Sequence, residues 1–217
     1  MSHDDKASAD ESHETAAIKT ALIAGADGFS EVVGKVGSDH WQRPALGSWT
    51  VRDLTGHASR ALSTVKDYMG QEPEPTAKRL EGPVAYFLAV RSADPDAIAT
   101  RGKESGAALG KDPARAIRAL AAEVTSLVES ADPETIVTPL GGTMSLFDYL
   151  PTRTFELAVH SLDLVRAVGI EAPASLAPAI SASCVLAGRL AAQLPAAGDL
   201  LLRLAGRTGL PEHLSVV

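Results

Sequence analysis

A single cysteine, Cys184, stands among 217 residues, so no intrachain disulfide can form. That absence predicts a reducing compartment, the cytoplasm. Positive charge is also short, with 20 Lys and Arg against 27 Asp and Glu and a net charge of -7. A binder of the nucleic-acid backbone needs clustered cations, so that class is excluded. An anionic small molecule needs only one or two local arginines and stays open. The N-terminal stretch MSHDDKASADESHET holds no apolar signal core. No later run reads as the ~18 apolar residues of a membrane span, and no internal repeat is visible. Neither nucleic acid nor membrane is expected as a partner.

What is present is a core. Forty-five per cent of the residues are hydrophobic, enough for one domain to bury a substantial interior. The abundance of alanine favours helix. Residues 1–13 are too polar to bury and are expected to be a disordered tail. A helical bundle is expected over 14–197. Its first helix runs from Glu14 to about Val36 and is weakened by Gly25 and Gly28. The segment 37–49 reads as a loop. A second helix opens with Thr50 and Asp53 as a loose capping box and carries Leu54, Ala58, Ala61, Val65 and Met69 at helical spacing. The proline-rich segment 71–83 breaks it. Residues 84–109 read as irregular helix. Asp112 and Pro113 start a clearer one. ETIVTPLGGTMS, 134–145, suggests a short extended piece. A helix over about 146–168 ends at Gly169, and another spans about 175–194. The tail 198–217 alternates apolar residues around Gly and Pro and predicts a small β element. The fold class is mainly α: a bundle of four or more helices with extra helices and a small C-terminal β element.

The segment RTFELAVHSLDL breaks the pattern of an apolar helix. Arg153, Glu156, His160 and Asp163 recur every three or four residues, within an arc of about 80° at 100° per residue. Leucines and Phe155 occupy the rest of the surface, so the stripe is expected to be buried. Buried ionisable groups need compensation. Internal pairing is one form, Arg153 with Glu156 and His160 with Asp163. A metal is the other, because Glu156 and His160 at i, i+4 can grip one ion. A third ligand is then required, and His40, His57 and His213 are the histidines that remain outside residues 1–13 and this helix. His57 lies in step with the apolar stripe of the second helix, which makes it the candidate. A His₂Glu set leaves a position open, as catalytic zinc sites do, and suits iron or nickel as well. Asp163 would orient His160 or act as a base. Cys184, in an alanine-rich helix with no histidine nearby, reads as a buried structural thiol. Trp41 and Trp49 read as packing anchors.

These residues carry a resemblance. HWQRPALGSWTVRDLTGHASRAL is similar to a segment of the mycothiol-dependent maleylpyruvate isomerase family in which Trp and Pro precede GWTVRDLVAHL. RTFELAVHSLDL resembles that family's Arg-x-x-Glu-x-x-x-His-x-x-Asp helix, and LLLRLAGRTGLP resembles a Leu-rich Gly-Arg tail of its short members. The similarity spans most of the chain after residue 14. It implies a DinB-like metal-binding four-helix bundle in which His57, Glu156 and His160 hold zinc or another divalent ion, nickel or iron among them. It also implies mycothiol or a similar thiol as cosubstrate, with Asp163 and Arg153 supporting catalysis. Arg153 would bind a substrate carboxylate or pair with Glu156, and Arg207 would match an arginine of the tail. Thiol addition to a cis double bond, rotation and elimination would make an isomerase; retention of the thiol would make an S-transferase. The full isomerase carries a larger C-terminal domain, whereas residues 198–217 alone follow the last helix expected here. The resemblance therefore implies thiol and metal chemistry on a small electrophile more directly than maleylpyruvate itself. A non-catalytic metal- or ligand-binding bundle and a metal-dependent hydrolase are the alternatives. A homodimer is compatible with all three.

Overall fold

The structure, a computed structural model, describes residues 3–195 and 197–207. Helix α1 spans His3–Gly34, α2 Val51–Met69, α3 Gly82–Val90, α4 Pro95–Ala108, α5 Pro113–Glu129, α6 Leu146–Val168, α7 Ala177–Ala191 and α8 Ala197–Leu204. Four of them close a ring: α1 packs on α5 and α6, and α2 packs on the same two. Their apolar faces meet in one core, with Phe29 and Val33 from α1, Leu54 and Leu62 from α2, Ile117 and Val124 from α5, and Leu150 and Leu157 from α6. Helix α4 lies along α2, α3 rests on α6 and α7, and α7 flanks α6 and α1.

Local chemistry sets the helix ends. Thr50 and Asp53 form a full capping box at the start of α2, which satisfies two backbone N–H groups there. Asp112 caps α5 through the Arg115 N–H, with Pro113 in the first turn. Gly169 ends α6 in the left-handed region at φ 74°, a conformation glycine adopts without strain.

One close approach determines where α4 sits. A Cβ built on Gly56 would stand 2.0 Å from the Gly106 backbone nitrogen, and one on Gly106 2.8 Å from the Arg52 carbonyl oxygen. The two helices touch backbone to backbone, and only glycine permits that. The contact falls one residue before His57.

Four expectations need revision. Helix α1 begins at His3 rather than near Glu14, in place of the expected disordered tail; Asp4 and Asp5 suit the positive N-terminal end of the helix dipole. The segment 197–204 is helical, not β. Its leucines satisfy their backbone within a helix, whereas a strand would need a partner to pair with. Residues 208–217 of the expected β tail, His213 included, lie outside the described residues. The β structure lies instead in two antiparallel pairs, β1 Pro44–Leu46 with β2 Trp49–Thr50, and β3 Ile136–Val137 with β4 Met144–Ser145. The second is the extended piece expected at 134–145. Finally, Ala174–Ala191 is long and apolar enough to cross a membrane by length and composition. Here it forms a short 3₁₀ turn and α7, with Ala179, Leu186 and Leu190 buried against the bundle.

Candidate metal centre

The charged stripe of α6 faces α2. Glu156 and His160, one turn apart, bring Oε2 and Nε2 to 3.3 Å. His57 of α2 reaches the same Glu156 oxygen with its Nε2 at 3.7 Å. The two imidazole rings stand edge to face, centroids 4.8 Å apart. One ligand atom from each of the three residues lies within 4.8 Å of the other two. Two donors bound to one tetrahedral zinc at 2.0–2.1 Å are about 3.3 Å apart; the Glu156–His160 spacing matches that value, and the donor types suit a divalent ion. Among the described residues, no other trio of His, Cys, Asp or Glu converges in this way.

The electrostatics hold Glu156 charged. Burial alone would raise its pKa, but hydrogen bonds from His160 and His57, and the Arg153 charge, hold it well below the usual carboxylate range. Burial likewise works against a charged His160. Hydrogen bonds to Asp163 and Glu156 outweigh that and push its pKa up to about 9. Asp163 Oδ2 lies 3.2 Å from His160 Nδ1, the nitrogen turned away from Glu156. A carboxylate on that nitrogen fixes the ring and leaves Nε2 as the atom that faces Glu156.

His57 is held differently. The Trp49 indole lies against its ring, centroids 4.5 Å apart and planes tilted by 32°. Trp49 is itself fixed by an Nε1–H bond to the Ala99 carbonyl of α4. His57 Nδ1 is buried and has no hydrogen-bond partner. On the Nδ1 side, packing rather than a carboxylate sets this ring's orientation, so Trp49 anchors the site as well as the fold. His40 stays apart in the loop before β1, its Nε2 3.7 Å from Asp39.

The expected Arg153–Glu156 ion pair does not form as a contact. Arg153 is 8% exposed and donates through Nε to Thr152 Oγ1 and through Nη2 to the Tyr86 hydroxyl. Its guanidinium lies 4.7 Å from the Tyr149 ring centroid and 5.2 Å from that of Tyr86. Spacing of i, i+3 permits a pair, but two aromatic faces hold the cation instead. Its charge still acts on Glu156 through space. The expected burial of Cys184 is also overturned: the thiol is exposed on α7, because the buried face of that helix is formed by Ala179, Ser183, Leu186 and Leu190. Arg207 is exposed beyond α8.

Beside the three converging residues opens a cavity of about 450 Å³, lined by His57 and Glu156 together with Arg60, Arg101, Arg153 and three tyrosines. Arg60 lies one turn after His57, so helical spacing on α2 carried a signal for it. Tyr86 and Arg101, on α3 and α4, come from the stretch whose periodicity was too irregular to orient.

The family profile described as mycothiol maleylpyruvate isomerase N-terminal domain matches residues 22–165. That range runs from the second half of α1 to the last turn of α6, so it takes in part of each of those helices, all of α2 and α5, and His57, Glu156 and His160. No curated protein and no solved structure matches the chain. By the extent of that match, the chain belongs to the mycothiol maleylpyruvate isomerase N-terminal domain family.

Proposed function

We propose that the protein is a divalent-metal-dependent enzyme that uses a low-molecular-weight thiol, mycothiol or a close equivalent, as an isomerase or S-transferase on a small electrophile. The observation that carries this reading is the convergence of His57 and His160 on one Glu156 oxygen from two helices, next to a cavity large enough for a substrate. His57, Glu156 and His160 would hold the ion, zinc before nickel or iron. When bound, the ion supplies Lewis acidity that lowers the pKa of a coordinated thiol, so that the nucleophilic thiolate exists at neutral pH.

The remaining work falls to the chain. Asp163 is a positioning residue: it accepts a hydrogen bond from His160 Nδ1–H and so directs Nε2 inward. Trp49 positions His57 by packing. Arg153, fixed between Tyr86 and Tyr149, places a charge at the cavity wall where an anionic group of the substrate can rest. Cys184, exposed on α7, is not among the residues lining this cavity and is assigned no part in the reaction.

The test joins metal content to turnover. Purified, zinc-supplemented protein should carry one divalent ion per chain by elemental analysis, and His57→Ala should lose it. Thiol-dependent consumption of an electrophile or a cis-enone acid should follow the metal. Protein that stays metal-free after supplementation would sink the reading. Turnover without any thiol would favour hydrolysis by bound water instead, and ligand binding with no turnover would favour a non-catalytic module.

A further inference from the structure

The large cavity does not end at Glu156. A second cavity of about 340 Å³ shares Phe87, Val90, Ala93, Ile98 and Glu156 with it. The two are arms of one cleft, and they meet at the carboxylate that both histidines approach. Their chemistry differs. The first arm is lined by His57, three arginines and three tyrosines. The second has Phe87, Leu88, Val90, Ile98, Leu190 and Leu194 in its wall. Apart from Glu156, its polar members are Arg91 and Gln193, both exposed. Its interior is therefore apolar.

The far wall of this arm is firmly packed. Phe155 and Leu190 are buried in a small hydrophobic cluster of their own, with Phe87 packed against it. The Phe87 and Phe155 rings meet edge to face, centroids 5.4 Å apart. Helices α3, α6 and α7 thus fix this side of the cleft. Leu88 of α3 nevertheless stays 50% exposed. Protein interiors close such space by packing, and apolar surface left open to water is costly until something apolar covers it.

We propose that this second arm binds an uncharged alkyl or aryl group of the electrophile, whose reactive centre lies at the junction beside Glu156. The assignment rests on the proposed reaction in taking the occupant as the electrophile; the binding itself needs neither thiol nor turnover. Continuity with the cluster carries it, because Phe87, Ile98 and Leu190 share their cavity with Glu156. A water-soluble thiol would leave its polar groups without partners against this wall. An anionic group would face the Glu156 carboxylate, with the exposed Arg91 the one cation among the described residues of that wall. An apolar group gains instead in proportion to the surface it buries. The volume falls in the range of small-molecule sites.

The test uses the full chain, zinc-supplemented and metal-free, with straight-chain methyl ketones as unreactive probes. From 2-pentanone to 2-octanone, affinity measured by ligand-detected NMR should rise about fourfold per added methylene in both samples. Diethylene glycol dimethyl ether, similar in length to 2-octanone but polar along its chain, should not bind. The double variant Leu88→Asn, Leu194→Asn should lose at least tenfold in 2-octanone affinity, with unchanged zinc content and circular dichroism. Leu88→Met with Leu194→Met should keep most of that affinity. Val185→Asn alters a separate groove between α1, α6 and α7 and should leave the affinity unchanged. No dependence on chain length, equal binding of the ether, or unchanged affinity in the double asparagine variant would each overturn the arm. So would a loss confined to Val185→Asn, because the probe would then sit in the other groove. Zinc content and thiol-dependent turnover of the same samples report on the proposed reaction separately. Ketone binding without turnover sinks the reaction and leaves the arm standing, and turnover without ketone binding does the reverse.

Discussion

The two histidines of the cluster differ in what holds them, and that difference is testable. His160 is fixed by the Asp163 carboxylate, His57 by the face of Trp49. Removing an outer carboxylate from a ligating histidine typically costs ~10–100-fold in metal affinity. Asp163→Ala should therefore weaken zinc binding by roughly that factor in competition with a chelating dye. It should also bring the pKa of His160 in the metal-free chain down from about 9 toward its ordinary 6.5, as read by NMR titration. A role confined to structure would leave that pKa in place, and unchanged zinc affinity would remove Asp163 from the site. Much of this constellation was legible beforehand, because Glu156, His160 and Asp163 lie on one face of one helix and His57 interrupts an apolar stripe. The fate of Arg153 was not. Its acid neighbour at i, i+3 is a local fact, whereas Tyr86, which accepts its hydrogen bond, comes from another helix. Spacing within one element carries no information about a partner that tertiary packing delivers.

Helix α2 shows how an element positions a member of the cluster. Its capping box fixes where it starts, and its glycine fixes how near α4 lies. Gly56 has the backbone of Gly106 where a Cβ would stand, so Gly56→Ala forces α4 away from α2 and disturbs the turn that carries His57. Overpacking of this kind costs about 1–3 kcal/mol or more. At roughly 2–4 °C per kcal/mol for a chain of this size, the melting temperature should fall by several degrees. Zinc content should fall with it. Gly188 of α7 has nothing within 4 Å of an added Cβ, and Gly188→Ala should be neutral or stabilise by up to about 1 kcal/mol. A Gly56→Ala protein as stable as Gly188→Ala would contradict the close contact. The elements themselves were legible where caps and periodicity agreed, as in α2, α5 and α6. They were not where burial is one-sided or slight. Helix α1 extends through residues too polar to show a core stripe, and the leucine run of α8 fits strand or helix equally until a partner is known. The glycine contact was invisible for the same reason as Tyr86: it depends on a second helix.

At the scale of the whole molecule, an acidic chain gathers positive charge around one cavity. The chain is acidic overall, yet one cavity is walled by three arginines and one glutamate. The same internal electrostatics set how stability responds to pH. In the metal-free protein, His160 bridges Glu156 and Asp163 and is a stronger base folded, at about 9, than at its ordinary 6.5. Its contribution is therefore complete below about pH 6.5 and lost as pH rises through 9. A shift of that size corresponds to on the order of 3 kcal/mol. Glu156 works in the opposite sense. Its depressed pKa contributes stability above the ordinary carboxylate range and is lost only in strong acid. Chelator-treated protein should thus be most stable near pH 5–6.5 and should melt at progressively lower temperature up to pH 9. If His160 ligates zinc, zinc should reverse the trend, because a ligating His160 must shed the proton that the metal-free chain favours. The increase in melting temperature on adding zinc should grow with pH across the same window. His160→Gln should flatten both curves. A metal-free protein whose stability stays level between pH 6.5 and 9, or a zinc effect that shrinks as pH rises, would show that His160 is not the proton-holding member of the cluster.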